Sequence, residues 1–558
     1  MASKREKNGK GSRTLYKLFV TAILLLAVVF TLKNAPNYVR NDIKGTNVVI
    51  NNSNVTKSLK ADIFVENDVV YMSKEDVENF FDGHIYYDSK YDQIITTSGT
   101  KVAALPINNK QITVNGSTLN IYASAIKRDN KYYLPFSEIS KIVYNVETTY
   151  VKNTDIVVLT SLDRELIYAN STKNNSVKYK PTVFSKTVDK IKRGDNVTVV
   201  TTEETENGWT RITTENGKIG YVKTKTLANH QKIRENFELA KQIDGKVSLV
   251  WDYFSEYVTA PQRTGTIEGV NVVSPTFITV KKLGKGDIEE NIGTDGVNYI
   301  KWAHNNGYKV WTMVSNNSMK ETTSEIINDY NLRQKFINNI INVVIEYDLD
   351  GINLDFENIY QKDKDAYSRL VIELAPRLKD LGKVLSVDVT APDGSEDWSL
   401  CFDRNVIGKV ADYIVFMAYD QHGVSSSAGT VAGYDWVETN IKKFINQEEV
   451  EPEKVILGMP FYTRIWEENG ESSAIAMKDT YSKIPSSAQI TWLDDVKQNY
   501  AEYVKNNKTY KVWIEDVKSI TEKLNLVDTY KLAGAAYWEK DREDESVWSI
   551  ISEKLGIK

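Results

Sequence analysis

Polar and apolar residues alternate along DGINLDFE, the segment from Asp350 to Glu357. A period of two puts Asn353, Asp355 and Glu357 on one face of a strand and apolar side chains on the other. Carboxyl groups give and take protons in general acid–base catalysis, and burying them is costly unless they are paired or used. A purely structural role, in helix caps or ion pairs, explains this alternation poorly. The segment therefore predicts a functional site at the end of a strand.

This segment is one of eight β-rich runs that alternate with amphipathic helical stretches after about residue 243. The runs are 247–254, 269–280, 308–316, 350–359, 384–392, 412–420, 454–462 and 531–541. Strand–helix units repeated eight times over 316 residues predict a closed (β/α)8 TIM barrel as the C-terminal domain, residues 243–558. The long gap at 463–530 predicts a small α+β insertion between strands 7 and 8.

Active sites of such barrels lie at the carboxyl ends of the strands. The polar and aromatic residues predicted at those ends are Asp355, Glu357, Tyr419, Asp420 and Trp538. They belong to three different strands, and closure of a barrel would bring them to one mouth. We therefore expect these five residues to form a single site.

Several motifs of this domain resemble those of glycoside hydrolase family 18, which contains chitinases and related N-acetylglucosaminidases. DGINLDFE is similar to the family signature DxxDxDxE, and Met417-x-Tyr419-Asp420 is similar to its sixth-strand motif. Trp538 in GAAYWEKD matches the tryptophan of the eighth strand, so the resemblance spans residues 243–558. It implies a retaining hydrolase in which the N-acetyl group of the substrate, rather than a second carboxylate, attacks the anomeric carbon.

The resemblance also implies a role for each residue of the site. Glu357 would protonate the leaving oxygen and later activate water, Asp355 would orient the acetamide, and Tyr419 would hydrogen-bond its oxygen. Asp420 would contact the sugar near the bond that is cleaved, and Trp538 would stack beneath the sugar ring. Asn353 and Met417 are counted with Asp420 and Trp538 as substrate-binding residues.

Asn353 departs from the family pattern, which has an aspartate at this position. An amide does not repel a neighbouring carboxylate, so we expect Asp355 to ionise more readily than it would beside an aspartate. Phe356 replaces a common tryptophan and should affect packing alone. The string NLDFEN resembles the corresponding motif in the branch of the family that contains spore-cortex and peptidoglycan N-acetylglucosaminidases.

Two other functions remain open from the sequence. The first is a chitinase that acts on chitin or chitooligosaccharides. The second belongs to another class, a catalytically inactive sugar-binding protein, which the intact Glu357 disfavours. The expected partner is in each case a peptidoglycan or chitin-type polymer of N-acetylglucosamine.

The amino terminus predicts a membrane anchor. Residues 1–17 carry six basic side chains and one acid, and residues 18–32 contain no charge. A basic flank before an apolar stretch predicts a cytoplasmic segment followed by a transmembrane signal-anchor, with the rest of the chain outside the cell. If the stretch is cleaved instead, the protein is secreted.

Two modules are predicted between the anchor and the barrel. Residues 46–160 contain an internal repeat in which Tyr71-Met72-Ser73 recurs as Tyr133-Leu134-Pro135, an offset of 62 residues. This pattern resembles the copper amine oxidase N-terminal-like domain, for which we expect no copper here. Residues 172–228 show short β-rich runs that resemble a bacterial Src-homology-3 barrel, a module that often binds cell-wall ligands.

Composition excludes several other classes of protein. The net charge of −5 becomes about −10 once the basic residues 1–17 are set aside, which disfavours nucleic-acid binding. One cysteine, Cys401, and four scattered histidines make a metal centre unexpected, and no cofactor is predicted. The sequence does not specify an oligomeric state.

Overall fold

A computed structural model describes most of the chain after the amino-terminal segment. The described ranges are 45–200, 208–233, 243–255, 257–468 and 471–558. The predicted cytoplasmic segment 1–17 and signal-anchor 18–32 lie outside them. Within these ranges no helix is both long and apolar enough to cross a membrane. The chain divides into two compact units, one ending at Glu238 and the other formed mainly by Leu239–Lys558.

The internal repeat of the first unit is visible in its strand pairing. The two copies of the repeated tripeptide lie in neighbouring antiparallel strands, with Tyr133 opposite Ser73 and Pro135 opposite Tyr71. A helix follows each strand, Lys74–Phe80 in the first copy and Phe136–Tyr144 in the second. The two copies therefore pack on each other through equivalent residues.

Both copies use an acidic side chain to hold a backbone N–H. Asp76 accepts from the N–H of Lys60 at 2.6 Å, and Glu138 accepts from the N–H of Tyr122 at 2.8 Å. Donor and acceptor are each shifted by 62 residues between the copies. Asp76 and Glu138 therefore make equivalent hydrogen bonds in the two copies.

Three sheets contain the strands of this repeat domain. Besides Val69–Ser73 and Lys131–Pro135, the strands are Asn47–Ile50, Ser53–Asn54, Phe64–Glu66, Tyr86–Asp88, Gln93–Thr97, Val102–Pro106, Gln111–Val114, Ser117–Asn120, Ile126–Arg128, Val146–Val151 and Ile156–Ser161.

A seven-stranded antiparallel sheet follows in the same unit. Its strands are Leu166–Ser171, Asn175–Lys178, Thr187–Ile191, Asn196–Val199, Trp209–Thr214, Ile219–Lys223 and Leu227–Ile233. One apolar cluster receives a side chain from every strand, including Val177, Ile212 and Val222. A small β-rich domain is therefore present here, and its sheet extends on both sides of 172–228. Its resemblance to a Src-homology-3 domain stays a prediction.

The second unit is the predicted (β/α)8 barrel, and all eight predicted runs contain its strands. The strands are β1 (Val247–Asp252), β2 (Val272–Pro275), β3 (Lys309–Ser315), β4 (Gly351–Asp355), β5 (Val384–Val389), β6 (Tyr413–Met417), β7 (Val455–Pro460) and β8 (Gly534–Trp538). Each pairs in parallel with the next, and β8 pairs with β1 to close the ring. A Cβ on Gly534 would lie 1.8 Å from the carbonyl oxygen of Val247, so this contact requires glycine.

Helices surround the strands and cover their outward faces. They are Gly293–Asn305, Lys320–Asn328, Tyr330–Glu346, Lys364–Asp380, Arg404–Val410, Tyr434–Asn446, Val517–Thr529 and Val547–Leu555. On β4 and just beyond it, Ile352, Leu354 and Phe356 belong to the apolar layer between strands and helices. Asn353 and Asp355 therefore point to the barrel interior, as the alternation predicts.

The insertion after β7 forms a five-stranded sheet of its own. Its strands are Tyr462–Glu467, Ser472–Ala476, Ile490–Leu493, Gln498–Lys505 and Lys508–Ile514, and its helix is Met477–Lys483. Directly after the strand Lys508–Ile514, the carboxylate of Glu515 pairs with the ammonium of Lys523 at 2.8 Å, and both side chains are wholly buried. A short hairpin, Ile278–Val280 with Ile288–Glu290, follows β2.

Candidate active site

The two ends of β4 carry acids with different surroundings. Asp350, before the strand, accepts hydrogen bonds from Lys309 at 3.0 Å and from the backbone N–H of Val310 at 3.0 Å. It also pairs with His304 at 2.8 Å. Glu357 lies beyond the opposite, carboxyl end and is half-buried. The first acid of the motif is therefore tied into the scaffold, whereas the last reaches the barrel mouth.

The backbone of Glu357 is held by a buried amide from the end of β3. Oδ1 of Asn316 accepts the N–H of Glu357 at 3.0 Å, and its Nδ2 donates to the carbonyl oxygen of the same residue at 2.9 Å. A third bond from Asn316 Nδ2 to Thr323 fixes the amide on the following helix. This clamp orients Glu357 without contacting its carboxyl group.

Asn353 lies at the centre of a buried hydrogen-bond network. Trp251 Nε1 donates to its Oδ1 at 2.7 Å, and the hydroxyl of Ser274 donates to the same atom at 3.3 Å. Its Nδ2 donates to Ser386 at 3.0 Å and to Oδ1 of Asp388 at 2.6 Å. Asn353 is 0% exposed, so its hydrogen bonds serve to position the side chains around it. The predicted direct contact with substrate is therefore corrected to a supporting role.

Asp355 and Asp388 are both buried carboxyl groups on neighbouring strands. Asp355 is 8% exposed and Asp388 is 0% exposed. Burial raises the pKa of Asp355 well above its usual range, and the charges of Glu357 and Asp388 raise it further. A carboxylate on β5 thus stands close to Asp355 although position 353 is an amide. That Asp355 ionises more readily than it would beside an aspartate at position 353 stays a prediction.

Glu357 also has a raised pKa. Burial is the larger cause, and the negative charge of Asp420 adds to it. Asp420 is exposed at the mouth with a left-handed backbone, φ 55°. Tyr462 donates its hydroxyl hydrogen to Oδ1 of Asp420 at 2.6 Å, and Arg464 approaches the same oxygen at 3.8 Å. The two side chains fix a negative charge where it favours a protonated Glu357.

Tyr419 belongs electrostatically to the same group of acids. Burial raises the pKa of its phenol well above the usual value, and the charges of Asp388, Asp355 and Glu357 contribute to that rise. The phenol therefore stays neutral and can donate a hydrogen bond at the mouth.

Trp538 ends β8 and is half-buried, with its ring packed edge-on against Trp251 at 5.8 Å between centroids. The Trp538–Glu539 peptide bond is cis. Met417 ends β6 and is 6% exposed. Both residues therefore lie at the carboxyl ends of their strands, where substrate contact is predicted.

The structure thus gathers Asp355, Glu357, Tyr419 and Asp420 into one electrostatically linked group, with Trp538 on the same side of the barrel. Sequence reasoning did not identify Asp388, Trp251, Asn316 and Tyr462. An acid inside the apolar run VLSVDV was the available signal for Asp388. In the described part of the chain, no three His, Cys, Asp or Glu side chains converge in a way that could hold a metal ion.

Comparisons with known proteins agree with this geometry. The sequence profile of glycosyl hydrolases family 18 matches residues 250–543, and that of the copper amine oxidase N-terminal domain matches residues 49–159. The uncharacterized glycosylase YvbX of Bacillus subtilis is 26% identical over 47% of this chain and 79% of its own. The cortical fragment-lytic enzyme of Bacillus anthracis is 25% identical over 43% of this chain, and the match spans 58% of that enzyme.

A solved structure shows the same fold. The crystal structure of the chitinase from Chromobacterium violaceum covers 56% of this chain and 100% of its own, at a TM-score of 0.50 and 23% identity. The barrel, the acids at its mouth and the profile match over more than half of the residues lead to one conclusion. This chain is a glycoside hydrolase that belongs to glycosyl hydrolases family 18.

Proposed function

We propose that this chain is a retaining N-acetylglucosaminidase that cleaves β-1,4 bonds of N-acetylglucosamine in bacterial cell-wall or spore-cortex peptidoglycan. Glu357 is the general acid of the proposal. Its raised pKa keeps the carboxyl group protonated at higher pH than an exposed glutamate, so it can protonate the leaving glycosidic oxygen. The resulting carboxylate then activates water for the second step.

The protonation state of Asp355 is the observation that supports substrate-assisted catalysis. A carboxylate nucleophile must be ionised, whereas burial raises the pKa of Asp355 well above the usual range and favours its protonated form. The N-acetyl carbonyl oxygen of the substrate is the better nucleophile in such a site. Attack by this oxygen and then by water inverts the anomeric carbon twice, which retains its configuration.

The remaining residues position the acetamide and the sugar. Asp355 accepts the acetamide N–H, and the neutral phenol of Tyr419 donates to the acetamide oxygen. Trp538 supplies an apolar floor on which a sugar ring can stack, and Asp420 contacts the sugar beside Glu357. Met417, which ends β6, lines the same subsite in this proposal.

The choice of peptidoglycan rests on the relatives and on the predicted modules. One relative is named for lysis of cortical fragments, and the motif NLDFEN resembles that branch. We further propose that residues 18–32 anchor the chain in the cell membrane with the barrel outside, and that the small barrel at 172–228 binds a wall component. Chitin is the second candidate substrate, since chitinases share the fold.

The decisive experiment incubates the full chain with purified peptidoglycan, spore cortex and chitooligosaccharides, and identifies the products by mass spectrometry. The proposal expects new reducing N-acetylglucosamine ends from peptidoglycan or cortex with retained configuration. Release from chitooligosaccharides alone would make the protein a chitinase. Binding to either polymer without release of any product would support the inactive sugar-binding protein.

A further inference from the structure

Asp388 is a buried carboxyl group for which the proposed mechanism has no role. It lies on β5, is wholly buried, and none of its described contacts is with a cationic group. Within the described residues its side chain accepts one hydrogen bond, from Nδ2 of Asn353 to its Oδ1 at 2.6 Å. Its Oδ2 is buried with no hydrogen-bond partner in the structure. An unpaired buried carboxyl group is costly, so its presence calls for a function.

The pairing of β4 with β5 shows what Asp388 faces. Asn353 lies opposite Ser386, and Leu354 lies opposite Val387. The next step of the same register puts Asp355 beside Asp388, with both side chains directed into the barrel. Asp355 likewise has one buried oxygen, Oδ1, without a hydrogen-bond partner. Two acids on adjacent strands thus each have one buried oxygen without a hydrogen-bond partner.

The network around Asn353 decides which acid holds the charge. The indole of Trp251 can only donate, so Oδ1 of Asn353 is the acceptor and Nδ2 must face Asp388. A hydrogen bond from this N–H stabilises a carboxylate on Asp388. Asp355 receives no such donor in the described structure, and two adjacent buried acids do not both ionise without a cation.

We propose that Asp388 is a positioning residue of the hydrolytic site: held by Asn353, it carries the negative charge of the buried pair, while the proton of the pair stays on Asp355. This inference rests on the proposed function of Glu357 and Asp355. A neutral Asp355 can still accept the acetamide N–H through its carbonyl oxygen. It also adds no second anion beside Glu357 when Glu357 gives its proton to the leaving group. The charge that stabilises the positive intermediate then lies on Asp388.

Other titratable groups face the pair from three elements. Burial raises the pKa of both acids, and the charge of Glu357, which lies just beyond β4, raises it further. Tyr419 follows β6, and Tyr367 approaches from the helix after β4; burial raises the pKa of each phenol well above the usual value, and both buried acids add to that rise. Both phenols therefore stay neutral. Glu357 is the group whose titration must be separated from that of the pair.

The test measures kcat/KM against pH for the full chain with a fluorogenic chitooligosaccharide. Asp388→Asn removes the charge beside Asp355, so the pKa of Asp355 falls. If Asp355 sets one limb of the pH profile, acidic or alkaline, that limb should then move to lower pH by about one unit or more. We expect kcat to fall by about a hundredfold with a smaller change in KM, because a misplaced acetamide lowers the rate more than the binding.

Two further variants keep the test independent of folding defects. Asn353→Asp adds a charge beside Asp355 and should move the same limb to higher pH. The double variant Asn353→Asp with Asp388→Asn, which exchanges the two side chains, returns one carboxylate to the network. It should bring the limb back toward its wild-type pH and restore part of the lost rate. Asp412→Asn is the matched control: Asp412 precedes β6 at the opposite end of the barrel, accepts the N–H of Leu385 at 2.9 Å, and should leave the profile unchanged.

An unchanged profile in a folded Asp388→Asn protein, or an exchange variant no better than Asp388→Asn alone, would overturn the inference. Glu357→Gln distinguishes this failure from failure of the proposed function. If Glu357→Gln is inactive while Asp388→Asn is normal, only the role of Asp388 is wrong. If Glu357→Gln keeps wild-type activity, the assignment of the general acid is wrong as well.

Discussion

Trp251 and Asn353 form a hydrogen bond of 2.7 Å that links β1 to β4 in the interior of the barrel. Because the indole nitrogen is a donor only, this bond fixes the direction of the amide and turns its Nδ2 toward Ser386 and Asp388. The same indole packs against Trp538. One side chain therefore connects the predicted sugar floor to the buried acids, and several predictions depend on this arrangement.

Replacing Glu357 by glutamine should remove hydrolysis and keep binding. The amide has the shape of the acid but no proton to give, so we expect kcat to fall by about 10²- to 10⁴-fold. Steady-state assays on chitooligosaccharides measure the rate, and calorimetric titration measures binding. Asp350→Asn is the control at the opposite end of β4, because Asp350 contacts Lys309 and Val310 at the amino end. It should lower the melting temperature and leave kcat nearly unchanged; equal losses of kcat in the two variants would contradict the assignment.

Replacing Trp251 by phenylalanine should disturb the site through Asn353. The ring is largely kept, but Oδ1 of Asn353 loses its main donor in a buried setting, which costs about 1–3 kcal/mol of unfolding free energy. We expect a lower kcat with a smaller change in KM. Trp311→Phe is the matched control, since Trp311 is equally buried and stacks on Tyr413 at 5.4 Å between centroids. A similar kcat in both variants would argue against a positioning role for the indole.

The alkaline limb of the activity profile should depend on Asp420. Glu357 must hold a proton to act as the acid, and the charge of Asp420 helps to raise the pKa of Glu357. Asp420→Asn removes that charge, so Glu357 should lose its proton at lower pH and the alkaline limb of kcat/KM should move downward. Asp435→Asn, which changes an exposed acid in the helix after β6, should not move it. An unmoved limb in Asp420→Asn would mean that another group sets it.

The buried pair Glu515–Lys523 should matter for stability alone. Removing the ammonium by Lys523→Ala leaves a wholly buried carboxylate without its partner, which costs about 3–5 kcal/mol. Thermal unfolding followed by circular dichroism measures the loss. Lys442→Ala breaks a pair with the half-buried Glu438 in which the lysine is exposed, and should change the melting temperature little. Equal effects would show that water reaches Glu515.

Much of this architecture could be predicted from local sequence patterns. The eight runs with their helical spacers predict the barrel, and a period of two along DGINLDFE separates Asn353 and Asp355 from Ile352 and Leu354. These features depend only on residues near each other in the chain. The offset of 62 residues likewise reveals the repeat, which the pairing of Tyr71 with Pro135 confirms.

The partners of the site could not be predicted in the same way. Asp388 contacts Asn353 only because β5 pairs with β4 in one particular register, and no local pattern encodes that register. For the same reason, the sequence pattern did not reveal that the next strand supplies a carboxylate that adds to the effect of burial in raising the pKa of Asp355. Trp251 and Asn316 come from β1 and the end of β3, and their roles become visible only when the ring closes.

The pairing of the two repeat copies has a consequence for how this part of the chain forms. Each copy presents one strand edge that the equivalent strand of the other copy covers. Expressed by itself, one copy would have that edge bare, and two identical molecules would be needed to satisfy it. Duplication within one polypeptide turns such a bimolecular encounter into an internal one. Formation of the domain therefore does not depend on protein concentration, as it would for a dimer of single copies.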